Sequence, residues 1–393
     1  MLFKRINPVI LILAIWFAGL GAAAQFAKIT IIFSEISTYY AENDVRSGFL
    51  LSTVSLLGVV FGLYAGVMGA KYGNRKLLIF GLFLGAITSF AQVFLLPFWG
   101  MIALRAIEGI SHLAITVAAP TLIASYASDN FRTYAMTLWG TFFGVAFAAM
   151  SVISPAILSN GGFDQLFLYH GIYMLLMGAV LFVCMPNPRA NLSVKEKPAP
   201  DTNFLTAHIE AYRSPFIAAP AIGWTFYTLT FVAMMTLLPQ FISDDQKLFV
   251  IGAMPITSII ASLTLGTFLL RIMSAVGVVM IGFAFAFAVS IAMLFTGINA
   301  WMAILIYIGL GLVQGATFAA VPQLNKTIED RSKANGLLVQ TGNLGNLFGT
   351  PILAAAVGTF DQSGMLTIAC LSYILAICAH AFCSHLRNWY RPA

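Results

Sequence analysis

Twelve apolar runs, each of roughly bilayer length, divide this chain of 393 residues. They cover approximately residues 8–33, 47–70, 77–96, 99–126, 134–158, 166–185, 215–240, 247–270, 274–296, 300–324, 335–358 and 364–386. About 20 apolar residues suffice for a helix to cross the hydrocarbon core. Only 9% of the residues are charged, against about 25% in soluble proteins. The expectation is an all-α membrane protein with twelve transmembrane helices. Lys4 and Arg5 ahead of the first run, with Ala22-Ala23-Ala24 inside it, have the outline of a signal peptide. Eleven further spans favour an uncleaved first helix.

Basic residues set the orientation. With the amino terminus in the cytoplasm, sixteen of the twenty Lys and Arg fall on the cytoplasmic side, against Arg46 and Lys247 outside. Lys28 and Arg105 are left inside spans. This bias predicts both termini in the cytoplasm, and a bacterial inner membrane is the expected location. The formal charge of +6 does not point to nucleic acid, because the basic residues form no run. Four cysteines without CxxC or Cys/His spacing predict neither disulfide nor metal.

The longest loop, residues 186–214, opens Pro-Asn-Pro and divides the chain near its midpoint. Three parts are expected: a six-helix bundle over 1–185, a cytoplasmic linker over 186–214, and a second six-helix bundle over 215–393. Phe204, Leu205, His208, Ile209 and Tyr212 share one helical face, which predicts a short interfacial helix in the linker. Arg132-Thr-Tyr-Ala135 and Arg331-Ser-Lys-Ala334 stand 199 residues apart, about half the chain, as a duplication would place them.

The fourth span carries the densest polar pattern. Arg105, Glu108, His112 and Thr116 fall within roughly 80° of one another, over about 16 Å of helix. An ionisable group at bilayer depth costs several kcal/mol unless it meets a partner or water, so this face predicts a shared polar cavity. An Arg105–Glu108 pair that merely locks the helix is the alternative. Lys28 lies near the outer end of the first span with Gln25 three residues before it. It either snorkels to the interface or adds a second cation to the cavity. Two cations against one carboxylate would suit an anionic substrate. Burial favours a neutral Glu108 and a nearby arginine favours a charged one, so Glu108 is the candidate proton carrier, with His112 as relay. The second half offers amides: Gln314 in the tenth span, and Gln340, Asn343 and Asn346 in the eleventh. They are read as substrate wall or as helix glue. Tyr227 in the seventh span completes the candidate substrate site.

Two stretches resemble a known family. Gly66-Val-Met-Gly69-Ala70-Lys71-Tyr72-Gly73-Asn74-Arg75-Lys76 resembles the loop signature of the major facilitator superfamily (MFS), with Gly66, Gly73 and Arg75 as its conformational residues. Ala70 stands where that family usually has Asp. Arg105-Ala-Ile-Glu108-Gly109 resembles the family's fourth-helix motif, with Glu108 in place of Gln. The resemblance covers essentially the whole chain and looks closest to the cyanate and nitroimidazole branch. It implies two six-helix pseudo-repeats, a proton-coupling role for Arg105 facing the cavity, and a monomer in the lipid bilayer. The fifth span, Gly140-Thr-Phe-Phe-Gly144 with Pro155, lacks the Gly-Pro step of the antiporters.

The expected function is secondary transport of a small carboxylate-like anion with protons, by alternating access. Export of drugs or metabolites by proton antiport is the alternative. No HExxH, P-loop or carboxylate pair within a span is present, so no enzyme, cofactor or metal is expected.

Overall fold

Residues 7–128, 131, 135, 138–186, 204–326 and 328–389 are described in the structure, a computed structural model. Among them every regular element is helical, with no strand. A long helix α1 (Pro8–Ile31) turns at Ile32 into α2 (Phe33–Tyr40). It is followed by α3 (Asp44–Ser52), α4 (Leu56–Tyr72), α5 (Asn74–Gln92), α6 (Phe98–Tyr126), α7 (Phe142–Gly161) and α8 (Asp164–Cys184). Then come α9 (Phe204–Arg213), α10 (Ala218–Leu237), α11 (Asp244–Ala261), α12 (Thr267–Ile272), α13 (Ala275–Thr296), α14 (Ala300–Leu324) and α15 (Ile328–Trp389).

Short polar residues start several of the helices. The Asn7 side chain accepts from the Val9 N–H ahead of Pro8, and Asn43, Ser274 and Asn299 do the same for α3, α13 and α14. Each satisfies an N–H that a helix end leaves without a partner. Among the described residues, eleven helical segments are long and apolar enough to cross a membrane. The last, Lys333–Trp389, contains non-helical backbone at Phe360 and Asp361, where φ of Asp361 is 56°. Its 57 residues correspond to about 85 Å of helix, against a core of about 30 Å. It therefore makes two passes, residues 328–359 and 362–389, which restores the expected twelve. The Arg132 side of the proposed repeat and most of the linker lie outside the described residues.

The end of the linker segment forms the helix α9. Ala211 is buried against Ile217, Ala221, Leu337 and Leu338, while Ile209 and Tyr212 stay exposed. Between α3–α4 and the first pass of α15 runs a long seam of close contacts. Gln340 Nε2 donates across it to the Val59 carbonyl at 3.0 Å. A Cβ on Gly58 would lie 2.2 Å from Asn343 Cγ, and one on Gly48 would lie 3.2 Å from the Pro351 nitrogen. A second seam joins α7 to α11 and α14, where Gln314 Nε2 donates to the Gly140 carbonyl at 2.9 Å.

Candidate functional site

Four helices, α1, α5, α6 and α8, each contribute polar side chains to one buried cluster. Lys28, Glu108, Arg105, Gln25, Ser89, Gln92 and Ser111 are all 0% exposed, and His112 and His170 only 5%. The centre is thus closed to solvent in this conformation. Lys28 reaches inward, so the snorkelling reading does not hold. Its Nζ donates to Glu108 Oε1 at 2.7 Å, Gln92 Oε1 at 2.7 Å and Ser89 Oγ at 2.9 Å. An ammonium has three N–H bonds, so these partners use all of them. The Phe167 ring packs beside it, with Nζ 5.4 Å from the centroid.

Arg105 ties three helices together. Nη1 donates to Glu108 Oε2, Nε to the Leu50 carbonyl at 2.7 Å and Nη2 to the Gln25 carbonyl at 2.7 Å. The other acceptor site of Glu108 Oε2 takes a hydrogen bond from Gln92 Nε2 at 2.7 Å. One carboxylate thus meets two cations, leaving one positive charge in excess. A buried charge is tolerable only when paired and hydrogen-bonded, which this carboxylate is on both oxygens.

The reach of Arg105 to Leu50 depends on Gly109. Leu50 lies just before a 3₁₀ turn, Thr53–Ser55, that joins α3 to α4. A Cβ on Gly109 would lie 2.3 Å from the Val54 carbonyl oxygen, so here the two backbones touch directly. Gly109→Val is expected to push α6 off this turn and to lower thermal stability by about 1–3 kcal/mol or more, the usual cost of overpacking. Thermal unfolding in detergent measures it, and an unchanged midpoint would remove the close approach from the account.

The two histidines are held in defined tautomers. His170 Nε2 faces the Gly21 carbonyl at 2.9 Å, an acceptor only, so Nε2 carries hydrogen. In the neutral ring Nδ1 is then an acceptor, 2.6 Å from Ser89 Oγ and 3.3 Å from Lys28 Nζ. His112 is the reverse: Nδ1 faces the Ala22 carbonyl and Gln25 Oε1, both at 3.2 Å, and carries the hydrogen. Gln25 Nε2 donates onward to Ser111 Oγ at 2.9 Å.

The structure brings Lys28, Gln25, Arg105, Glu108 and His112 together. His170, Gln92, Ser89 and Ser111 join them, although the sequence reading singled out none of these four. Thr116 lies at the edge, its hydroxyl donating to the His112 carbonyl within the helix. The amides of the second half do not bond to this cluster. Gln314 and Gln340 bridge the two seams, and Asn343 Nδ2 donates to Val339 in its own helix. Asn346 Oδ1 is buried without a partner. Tyr227 is 3% exposed and stacks on Trp224 with centroids 4.3 Å apart. Among the described residues no group of three or more His, Cys, Asp or Glu is placed to hold a metal.

The sequence profile of the Major Facilitator Superfamily matches residues 11–350. The chain belongs to the major facilitator superfamily. Among curated relatives, the inner membrane transport protein YajR of Escherichia coli K12 is 25% identical over 187 residues, 47% of this chain. The 4-hydroxybenzoate transporter PcaK of Pseudomonas aeruginosa is 25% identical over 146 residues, 37% of this chain. The chain spans 41% of the first and 33% of the second. In fold it is similar to a bacterial homolog of the human lysosomal transporter Spinster in an inward-facing, occupied conformation, with a TM-score of 0.73 at 15% identity. That match covers 99% of this chain and 100% of the other. The Escherichia coli fucose:proton symporter FucP gives a TM-score of 0.69 at 14% identity, over 96% and 99% of the two chains.

The signature stretch joins α4 to α5, between the second and third passes. Gly73 has φ of 95°, and nothing lies within 4 Å of where a Cβ would stand. Its need for glycine is conformational rather than steric. Arg75 caps the end of α8, donating from Nε to the Met185 carbonyl at 3.0 Å and from Nη2 to the Phe182 carbonyl at 2.7 Å. It thereby satisfies carbonyls that a helix end leaves open. Gly66 lies within α4.

Proposed function

We propose that the protein is a secondary transporter that carries a small organic anion together with protons. The observation that carries this reading is the buried centre of Lys28, Arg105 and Glu108, with two cations on one carboxylate. Such a centre keeps an unmatched positive charge at bilayer depth, and ionisable groups held there are ordinarily functional. A carboxylate-bearing substrate would complete the charge balance. A named relative, PcaK, transports 4-hydroxybenzoate, itself a carboxylate, and FucP is a proton symporter; both support this choice of class.

Alternating access follows from rocking residues 1–185 against 215–393, with the two seams opening and closing in turn. Glu108 holds the proton-sensitive position. As a carboxylate it accepts from Lys28, Arg105 and Gln92, and a proton that enters there lowers its hold on both cations. The excess of basic residues on one side supports both termini in the cytoplasm, and the relative YajR, an inner membrane transport protein, supports a bacterial inner membrane as the location.

Uptake into proteoliposomes tests the reading. Small carboxylates, including 4-hydroxybenzoate, and their neutral amide analogues are offered with and without an inward proton gradient. Carboxylate-specific uptake that rises with the gradient and falls at least about ten-fold in Arg105→Ala is expected, since truncating one member of a buried charge cluster is strongly disruptive. Uptake or export of neutral and cationic lipophiles alone, indifferent to Arg105→Ala, would favour the exporter instead.

A further inference from the structure

We infer that His170, reached through Ser89, is the seat where the coupled proton comes to rest, and that Glu108 is its port of entry. The inference rests on the proton-coupled reading above and assigns the residue that stores the proton. It starts from a count of donors. Lys28 spends its three N–H bonds on Glu108, Gln92 and Ser89. Ser89 Oγ therefore already accepts one hydrogen bond and has one hydrogen to give. Two acceptors compete for it: His170 Nδ1 at 2.6 Å and Glu108 Oε1 at 3.4 Å. The shorter contact takes it. The opposite ring nitrogen is fixed as a donor by the Gly21 carbonyl at 2.9 Å, so the basic lone pair of His170 faces Ser89 at 2.6 Å, with Lys28 Nζ farther off at 3.3 Å.

Ser89 thus stands between a carboxylate and the free lone pair of an imidazole, within a centre closed to bulk water. A proton placed on Glu108 Oε1 can pass along this path in one concerted step. Glu108 gives its O–H proton to Ser89 Oγ while the Ser89 hydroxyl proton moves to His170 Nδ1. One O–H bond breaks at Glu108, one is exchanged at Ser89, and one N–H bond forms at His170. The products are a carboxylate, an unchanged serine and an imidazolium.

The charge consequence supplies the coupling. The groups facing His170 are Lys28 from α1 and Glu108 and Arg105 from α6, while α5 contributes only the neutral Ser89 and Gln92. An imidazolium would raise the excess from one positive charge to two, with Lys28 Nζ 3.3 Å away. An anion entering the centre relieves that repulsion, so proton and anion favour each other's binding by the same factor.

Two variants test the assignment in proteoliposomes with labelled 4-hydroxybenzoate. His170→Gln retains a hydrogen-bond acceptor and a donor but cannot titrate. Ser89→Ala deletes only the bridging hydroxyl. One-for-one symport driven by an inward proton gradient of about one pH unit accumulates substrate about ten-fold. In both variants accumulation, set against each variant's own rate of exchange of internal for external substrate, is expected to collapse toward unity. Parental accumulation in His170→Gln overturns the assignment; should that variant fail to fold, parental accumulation in Ser89→Ala does so. A parent protein that shows no gradient-driven accumulation at all would instead overturn the proton-coupled reading on which the assignment rests.

Discussion

Glu108→Gln is expected to abolish proton-driven accumulation while substrate exchange continues. The amide occupies the same volume and can still accept from Lys28 Nζ through its oxygen, while its NH2 group then faces the Arg105 and Gln92 donors. It carries no titratable proton, and the cycle loses its link to the gradient. Lys28 and Arg105 would then share a buried site with no anion of the protein's own. Leaving a buried charge unmatched costs about 3–5 kcal/mol, so a lower unfolding temperature is expected, with recovery when a carboxylate substrate is added. Accumulation and exchange assays with a thermal scan check all three outcomes. Full accumulation in this variant would end the proton-carrier role of Glu108.

The second large effect lies at the seam between α3–α4 and the first pass of α15. A Cβ on Gly58 would lie 2.2 Å from Asn343 Cγ, 2.4 Å from Nδ2 and 2.6 Å from Oδ1. Asn343 is steadied by its Nδ2 bond to the Val339 carbonyl at 2.8 Å. A methyl group could be met by rotating that side chain, but an aromatic ring could not. Gly58→Phe is therefore expected to wedge the two proposed halves apart and to slow turnover by about ten-fold or more. Carboxylate binding, which the buried charges of the first half would provide, should persist. Transport rate and equilibrium binding, measured on the same preparation, separate the two. Parental turnover would show that this contact does not have to close during the cycle.

Charge in an apolar context is what made the centre legible from sequence. Lys28, Arg105 and Glu108 stand out because nothing else in their spans explains them, and the helical period aligns the last two with His112. Their neutral partners were hidden. Ser89 and Gln92 look like ordinary helix-tolerated residues, and His170 sits in a span, 166–185, that holds no Asp, Glu, Lys or Arg; what brings them to Lys28 is the packing of α5 and α8 against α1, a pairing that the period of a single helix does not encode. The amides show the opposite error of emphasis. Gln314 and Gln340 share the composition of a binding wall, yet the structure uses them to bridge backbone carbonyls across the seams. A local pattern places a polar residue on a face; only the tertiary arrangement decides what that face meets. Twelve passes, by contrast, follow from hydrophobic length alone, and the Phe360–Asp361 break falls in the short gap between the last two runs.

Proton movement accompanying substrate entry tests the central claim most directly. Lightly buffered proteoliposomes without an imposed gradient are given 4-hydroxybenzoate while a pH-sensitive dye follows the external medium. Alkalinisation that accompanies entry in the parent protein, and that is absent in Glu108→Gln at an unchanged exchange rate, is the predicted result. Entry with no pH change in the parent, or the same alkalinisation in both proteins, would contradict the account.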